Sequence, residues 1–172
     1  MQVRSRAIFP EQFNALVDQY GSKGAVLSRA TLELAASLID ALPDAPIAVL
    51  CDKHGGRSHY LPLLMEYFPD LLIEIHGEGR QQSVYRFGPD ERRMEFRFQA
   101  KAETHLPAAL ASMASKYLRE LAMRAWNGFW CGRLAGLAPT AGYPQDAVRF
   151  KTQIAELQNH LGIDDRVLWR MR

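Results

Sequence analysis

Apolar positions recur along this chain at two periods, and each change of period marks an element. The opening "MQVRSRAIF" sets Val3, Ala7 and Phe9 against Arg4 and Arg6, an alternation that predicts a short strand. Pro10 suits a first helical turn, and Phe13, Leu16, Val17 and Tyr20 follow at helical spacing until Gly21. After "GSKG", Ser28 is placed to cap a helix with the apolar face Leu32, Leu34, Ala35, Leu38, Ile39 and Leu42, ended by "PDAP". "IAVLC" at 47–51 is an unbroken run of strand formers, the pattern of a buried strand rather than a half-exposed one, and it ends on Asp52.

The loop "DKHGGRSH" leads into a short helix, "YLPLLMEYF", and "LLIEIH" at 71–76 reads as a further strand. "SVYRF" (83–87) and "RMEFRF" (93–98) alternate around "GPDE" as a hairpin. Pro107 opens a helix that runs to about Trp126 or Phe129. A loop rich in Gly and Pro, "CGRLAGLAPTAGYP", precedes a last helix from about Asp146 to His160, with Val148, Ile154, Leu157 and Leu161 turned inward. No internal repeat, low-complexity tract or linker interrupts this order, which predicts one mixed α/β domain over residues 1–172.

Composition changes this picture little. The 172 residues are enough to bury roughly two-thirds of the unfolded surface, and 48% apolar with 23% charged residues is a globular balance. The longest apolar runs fall far short of the ~20 residues that span a bilayer, so no membrane partner is expected. No secretory pattern opens the chain, and two isolated cysteines, Cys51 and Cys131, form no disulfide framework, which points to a reducing cytoplasm. Net charge is only +2, yet from Met113 onward nine Lys/Arg stand against five Asp/Glu, a lean toward a phosphate-rich partner.

Several residues then stand out as candidate chemistry. Asp52 follows an apolar strand, where ligand groups gather in α/β sheets, although an Asx-turn opening the Gly-Gly loop explains it equally. Glu103 precedes the helix that Pro107 opens, a place where the helix dipole alone favours a carboxylate. Together the two offer hard oxygen ligands for Mg²⁺ or Mn²⁺. In "PAALASMASKYLRELAM", Ser112, Lys116, Arg119 and Met123 share one stripe, while Leu110, Ala114, Tyr117 and Leu121 form an apolar stripe expected to face the core. Small residues, a hydroxyl and two cations suit a phosphodiester backbone, as they suit a tightly packed helix with a charged edge. Tyr143, between Gly142 and Pro144, suits either sugar stacking or helix entry, and Arg57 in the Gly-Gly loop is a further phosphate candidate. The five histidines do not pair with the cysteines at zinc spacing, and no phosphate-binding P-loop, dinucleotide glycine pattern or nucleophile elbow is present.

Taken together, these residues resemble type 2 ribonuclease H, the ribonuclease HII family. The family helix pattern A-S-x-x-A-K-x-x-R-D is similar to "ASMASKYLRE", Ala111 to Glu120, with Ser115 at the second Ala and Glu120 for Asp. The family's Gly-Tyr loop is similar to Gly142 and Tyr143 in "TAGYPQDAVRF", and "AIFPEQFNALV" through "IAVLCD" resembles the approach to the third metal carboxylate. The resemblance covers most of this chain but only the later part of the family domain. It implies an α/β, ribonuclease H-like mixed sheet with flanking helices, incomplete relative to the family, with a hairpin insertion at about 76–100. It also implies hydrolysis of phosphodiesters in RNA–DNA hybrids or ribonucleotide-containing duplex by divalent metal, Mg or Mn, held by Asp52 and Glu103. Ser112, Lys116, Arg119, Gly142 and Tyr143 then face the nucleic acid.

The first-strand D-E-x-G-x-G pattern of the family is absent, and in "DKHGGR" a Lys stands where the Glu would be. Two carboxylates in place of four hold metal weakly. This implies an enzyme only if an upstream segment or another chain supplies the rest, and otherwise a non-catalytic nucleic-acid binder on the same fold. An interaction module that pairs a partner strand along the "RQQSVYRF" hairpin edge is the alternative from another class. A sheet lacking its first strand would also leave an edge open to self-association.

Overall fold

A ladder of alternating aromatic residues builds the sheet. In the computed structural model, which describes residues 3–171, four strands form: β1 (Ile47–Asp52), β2 (Glu74–Glu78), β3 (Gln82–Phe87) and β4 (Met94–Gln99). Their order is β1-β4-β3-β2, with β1 parallel to β4 and the other pairs antiparallel. The register sets Tyr85 opposite Phe96, Phe87 opposite Met94 and Ser83 opposite Phe98, so period-2 alternation sends all six to one buried face. The helices α2 (Lys23–Ile39) and α3 (Leu61–Tyr67) complete this core with Leu32, Ala35, Ile39, Leu63 and Leu64. Each of these Leu and Ile side chains contributes roughly 1.5–3 kcal/mol on burial.

The other sheet face is charged. Glu95 on β4 accepts from Arg86 Nε at 2.8 Å and Arg97 Nη2 at 2.6 Å, and these bonds, first that of Arg86, hold its carboxyl below the usual range.

The hairpin at 83–98 forms as its alternation predicts, but it is not an appendage. It supplies the two middle strands, so the "RQQSVYRF" segment is paired on both sides and offers no free edge. The edges are β1 and β2. The unbroken apolar run of β1 therefore lies at the sheet margin, with Ala48 and Asp52 exposed and only Cys51 buried. Strand β2 begins at Glu74, three residues later than "LLIEIH" implies, because Leu71 packs on the core from a loop while Leu72 turns outward. The expected opening strand does not form. Residues 3–9 pair with no strand and are tied to α2, where Arg4 Nη1 donates to the Ser37 carbonyl at 2.6 Å and Arg6 pairs with Glu33. Ser22 rather than Ser28 caps α2, accepting from Ala25 N–H at 3.1 Å, since Ser28 is turned into the core.

Contacts divide the chain into two compact units: residues up to Ile8 with Ala15–Ser112, and Phe9–Asn14 with residues from Met113 onward. The helix α1 (Pro10–Tyr20) contributes to both, and α4 (Leu106–Cys131) begins in the first and continues in the second. The second unit packs Trp130, Leu137, Phe150 and Ile154 beneath Trp126, Leu157 and Trp169. It holds α5 (Pro144–His160) and a short α6 (Asp165–Leu168). Asn14 is its buried polar tie, with Nδ2 donating to the Arg166 and Trp169 carbonyls at 2.9 and 2.8 Å and Oδ1 accepting from Met171 N–H. On α5 the inward face is Phe150, Ile154 and Leu157, so Val148 and Leu161, expected inside, are exposed. On α4 only Trp130 is buried, and Tyr117 and Leu121 of the expected core stripe are exposed. No helix among the described residues is long and apolar enough to cross a membrane.

Candidate carboxylate pair and cation–aromatic platform

The loop after β1 is held from inside by a lysine. Lys53 Nζ donates to the Arg57 carbonyl at 3.2 Å, the Gly79 carbonyl at 2.6 Å and Ser83 Oγ at 3.1 Å, using all three protons. Burial lowers its pKa. Ser83 in turn donates to the Ser58 carbonyl at 2.6 Å, so this Lys–Ser pair is a clamp and its hydroxyl is not available as a nucleophile.

The next residue, His54, is buried. Its Nδ1 lies 3.0 Å from Ser28 Oγ, and its ring meets Tyr60 and Phe98 edge-on. Burial, and after it the Arg57 charge, push its pKa down to about 4, so the imidazole is neutral at pH 7. The Tyr60 hydroxyl accepts from His54 N–H at 3.0 Å, and the Tyr85 hydroxyl accepts from Tyr60 N–H at 2.7 Å while donating to Glu78. Burial raises the Tyr85 pKa, assisted by Glu78.

This rigid loop presents two of the predicted residues. Asp52, the last residue of β1, is exposed, and its Oδ1 accepts from Ala102 N–H at 3.4 Å. Ala102 opens the short 3-10 turn Ala102–Thr104, so the Asp52 carboxylate reaches the backbone of the turn that carries the exposed Glu103. Arg57 is half-buried with its guanidinium 5.9 Å from the Tyr60 ring and has no carboxylate partner among the described residues. A carboxylate at a strand end and another on the turn it bonds are oxygen donors of the type that hard cations take. They do not suit a two-ion hydrolytic site, and among the described residues no group of three or more His, Cys, Asp or Glu is arranged to hold a metal.

The second unit carries the cation–aromatic pair. Arg119 on α4 donates from Nη2 to the Ala141 carbonyl at 2.6 Å and from Nη1 to Glu120 at 2.9 Å, and its guanidinium carbon lies 5.3 Å from the Tyr143 ring centre. Gly142, at φ +73°, turns the backbone between these contacts, a conformation other residues adopt only with strain. Its N–H donates to Thr140 Oγ1, which donates to Asp146. Asp146 also accepts from Ala141 N–H and Arg149, and these bonds, led by that of Thr140, lower its pKa to about 2. Tyr143 is the N-cap residue of α5 and is 66% exposed, so its ring is available above a fixed backbone. Lys116, one turn before Arg119, is exposed and has no partner among the described residues, while Ser112 on the same helix is half-buried.

The structure thus joins Asp52 to the turn of Glu103, and Arg119 to Gly142 and Tyr143. The first pair belongs to one unit and the second set to the other. Lys53, His54 and Asp146 were passed over in the sequence. The one available signal was three consecutive ionisable residues directly after an apolar strand. No protein-family model, curated protein or solved structure matches this chain.

Proposed function

We propose that this chain binds nucleic acid, an RNA–DNA hybrid or ribonucleotide-containing duplex, through Lys116, Arg119 and Tyr143, and that it does not hydrolyse the phosphodiester unaided. The observation that carries this reading is the Arg119–Tyr143 platform, two residues 24 positions apart brought to 5.3 Å with the ring open to solvent. Arg119 spends one proton on Glu120 and one on the Ala141 carbonyl, which leaves further N–H donors for a phosphate, and the Tyr143 ring beside it gives a sugar or base a flat face. Lys116 adds a cation one helical turn away that has no partner among the described residues. The proposal follows the ribonuclease HII resemblance in its contacts and departs from it in its chemistry. Asp52 and Glu103 would hold at most one Mg²⁺ or Mn²⁺ loosely, and no hydrolytic step is assigned to them.

The test is fluorescence anisotropy with a labelled RNA–DNA hybrid at several salt concentrations, beside a gel assay of the same hybrid in Mn²⁺. Phosphate contacts release counterions, so log K should fall with log salt, and Lys116→Ala should reduce that slope by about 1. Binding that is absent at about 50 mM salt overturns the reading. Robust cleavage abolished by Asp52→Asn overturns its non-catalytic part.

A further inference from the structure

We infer that β1 is the pairing edge of a symmetric dimer, in which the β1 strands of two copies of this chain run antiparallel and join two four-stranded sheets into one. The inference is independent of the nucleic-acid reading and starts from a contrast between the two edges of the sheet. Strand β2 has the features that keep an edge solitary: Glu74, His76 and Glu78 along it, and a register shift between Ile75 and Gly77. Strand β1 has none of them. From Ile47 to Cys51 it has no charge and no proline, and it pairs with β4 in unbroken register. Such a continuous apolar run belongs to a strand covered on both faces, yet here Ala48 is exposed, Leu50 is half-buried and one edge of the strand is open. Ile47 and Val49 lean on the core but remain half-buried, because nothing lies beyond them.

Backbone parity fixes how a second copy would fit. Ile47 N–H donates to the Arg93 carbonyl and Lys53 N–H to the Gln99 carbonyl, so the odd-numbered residues of β1 turn their N–H and C=O toward β4. Ala48, Leu50 and Asp52 therefore present theirs to the open side. An antiparallel partner centred on Val49 sets Ala48 opposite Leu50 of the second copy and Leu50 opposite its Ala48, both with outward-facing groups. Asp52 N–H then meets the carbonyl of Pro46, which has no N–H to return to the Asp52 carbonyl, so the pair holds about six hydrogen bonds rather than about eight.

Charge agrees with this register. The sole charge of the strand, Asp52, is carried past its own counterpart to the Pro46 end of the partner. There an open groove beside Pro46 and Ile47 is lined by Arg86 and Arg93 together with their partners Glu95 and Asp90, and Arg93, held only by the exposed Asp90, is the cation that Asp52 can share. Within the strand pair itself Asp52 faces Pro46, so no like charges stand directly opposite each other. A six-residue edge lies at the small end of specific interfaces, so the dimer is expected to be weak and reversible.

The test is sedimentation of the reduced chain from roughly 1 to 200 μM, with amide exchange at both ends of that range. The expected result is a shift from monomer to dimer, with the Ala48 and Leu50 amides slowing about tenfold at high concentration. The Val49 and Cys51 amides, already bonded to β4, should not change. Ala48→Pro removes only an outward N–H and should leave the chain monomeric with an unchanged circular dichroism spectrum. A wild-type chain that stays monomeric throughout overturns the inference and leaves the edge to a strand of another protein. A dimer in which the Ala48 and Leu50 amides exchange equally fast at both concentrations also overturns it, by placing the contact elsewhere. The exchange measurement needs no variant, so the test stands even if Ala48→Pro fails to fold.

Discussion

Acidification should weaken the sheet unit through one residue, His54. The ring is 7% exposed, bonded to Ser28 and enclosed by Tyr60 and Phe98, and its folded pKa is about 4 against 6.5 unperturbed. A histidine with a lowered folded pKa is neutral in the native state at a pH where the unfolded chain already binds a proton. Stability is therefore retained above about pH 6.5 and lost as pH falls toward 4. Between pH 7 and 4.5 the two proton-binding curves differ by about 2.5 kcal/mol, close to one proton at 1.36 kcal/mol per unit. That loss corresponds to roughly 1 M in a urea midpoint. The assay is urea unfolding in EDTA at pH 7.0, 5.5 and 4.5, followed by near-ultraviolet circular dichroism of the sheet tyrosines and by amide exchange at Phe96 and Phe98. Tryptophan fluorescence is a separate channel, because Trp126, Trp130 and Trp169 all belong to the second unit. His54→Gln can still bond Ser28 but does not titrate, so its midpoint should be nearly flat over the same range. Equal pH dependence in wild type and His54→Gln, or a flat wild-type midpoint, would refute the reasoning.

Three further outcomes follow from the same geometry. Lys53→Met leaves the Arg57 and Gly79 carbonyls without their donor and should cost about 2 kcal/mol in sheet-unit stability by urea titration, a discounted value because the group is only partly buried. Asp146, with its pKa lowered to about 2, stabilises the second unit above its ordinary pKa of 3.8, and that contribution is lost as pH falls through 2. Asp146→Asn should therefore flatten the acid limb of tryptophan-detected unfolding between pH 4 and 2, and an unchanged limb would exclude the Thr140–Asp146–Arg149 bonds as its source. Arg119→Lys keeps the charge but not the fork that holds Ala141 while stacking on Tyr143, so hybrid binding should weaken about tenfold with little change in salt slope. Equal affinity of Arg119→Lys and wild type would show that only charge counts there.

The elements that sequence placed well are those whose local pattern and packing agree. The alternation of "SVYRF" and "RMEFRF" became β3 and β4 because one face of each meets α2 and α3, so period and burial give the same answer. The opening alternation of Val3, Ala7 and Phe9 had no such support, and without a neighbouring strand it stayed unpaired against α2. Ser28 illustrates a different limit. As a residue type it suits a cap, but its position serves the buried imidazole of His54, a partner 26 residues away. On α5, Phe150 rather than Val148 turned inward, because the tryptophan cluster that receives it is assembled from α4 and the stretch around Trp169, which no local window contains.

For the candidate site, sequence names residues and does not show their surroundings. Asp52 and Glu103 were visible as carboxylates near element ends, but only the structure shows Asp52 bonding the turn that carries Glu103. Arg119 and Tyr143 were each open to a packing explanation. Arg119 does serve packing, since it holds the Ala141 carbonyl, and that fixed guanidinium is what gives the exposed ring a stable neighbour. The edge strand carries the same lesson in reverse. "IAVLC" has the pattern of a strand covered on both faces, whereas in the fold of one chain Ala48 is exposed and β4 is its one neighbour. Where a local pattern this plain disagrees with the fold it sits in, the simplest resolution is a second strand from outside the chain. The outward-facing backbone of Ala48 and Leu50 is where that strand has to bind.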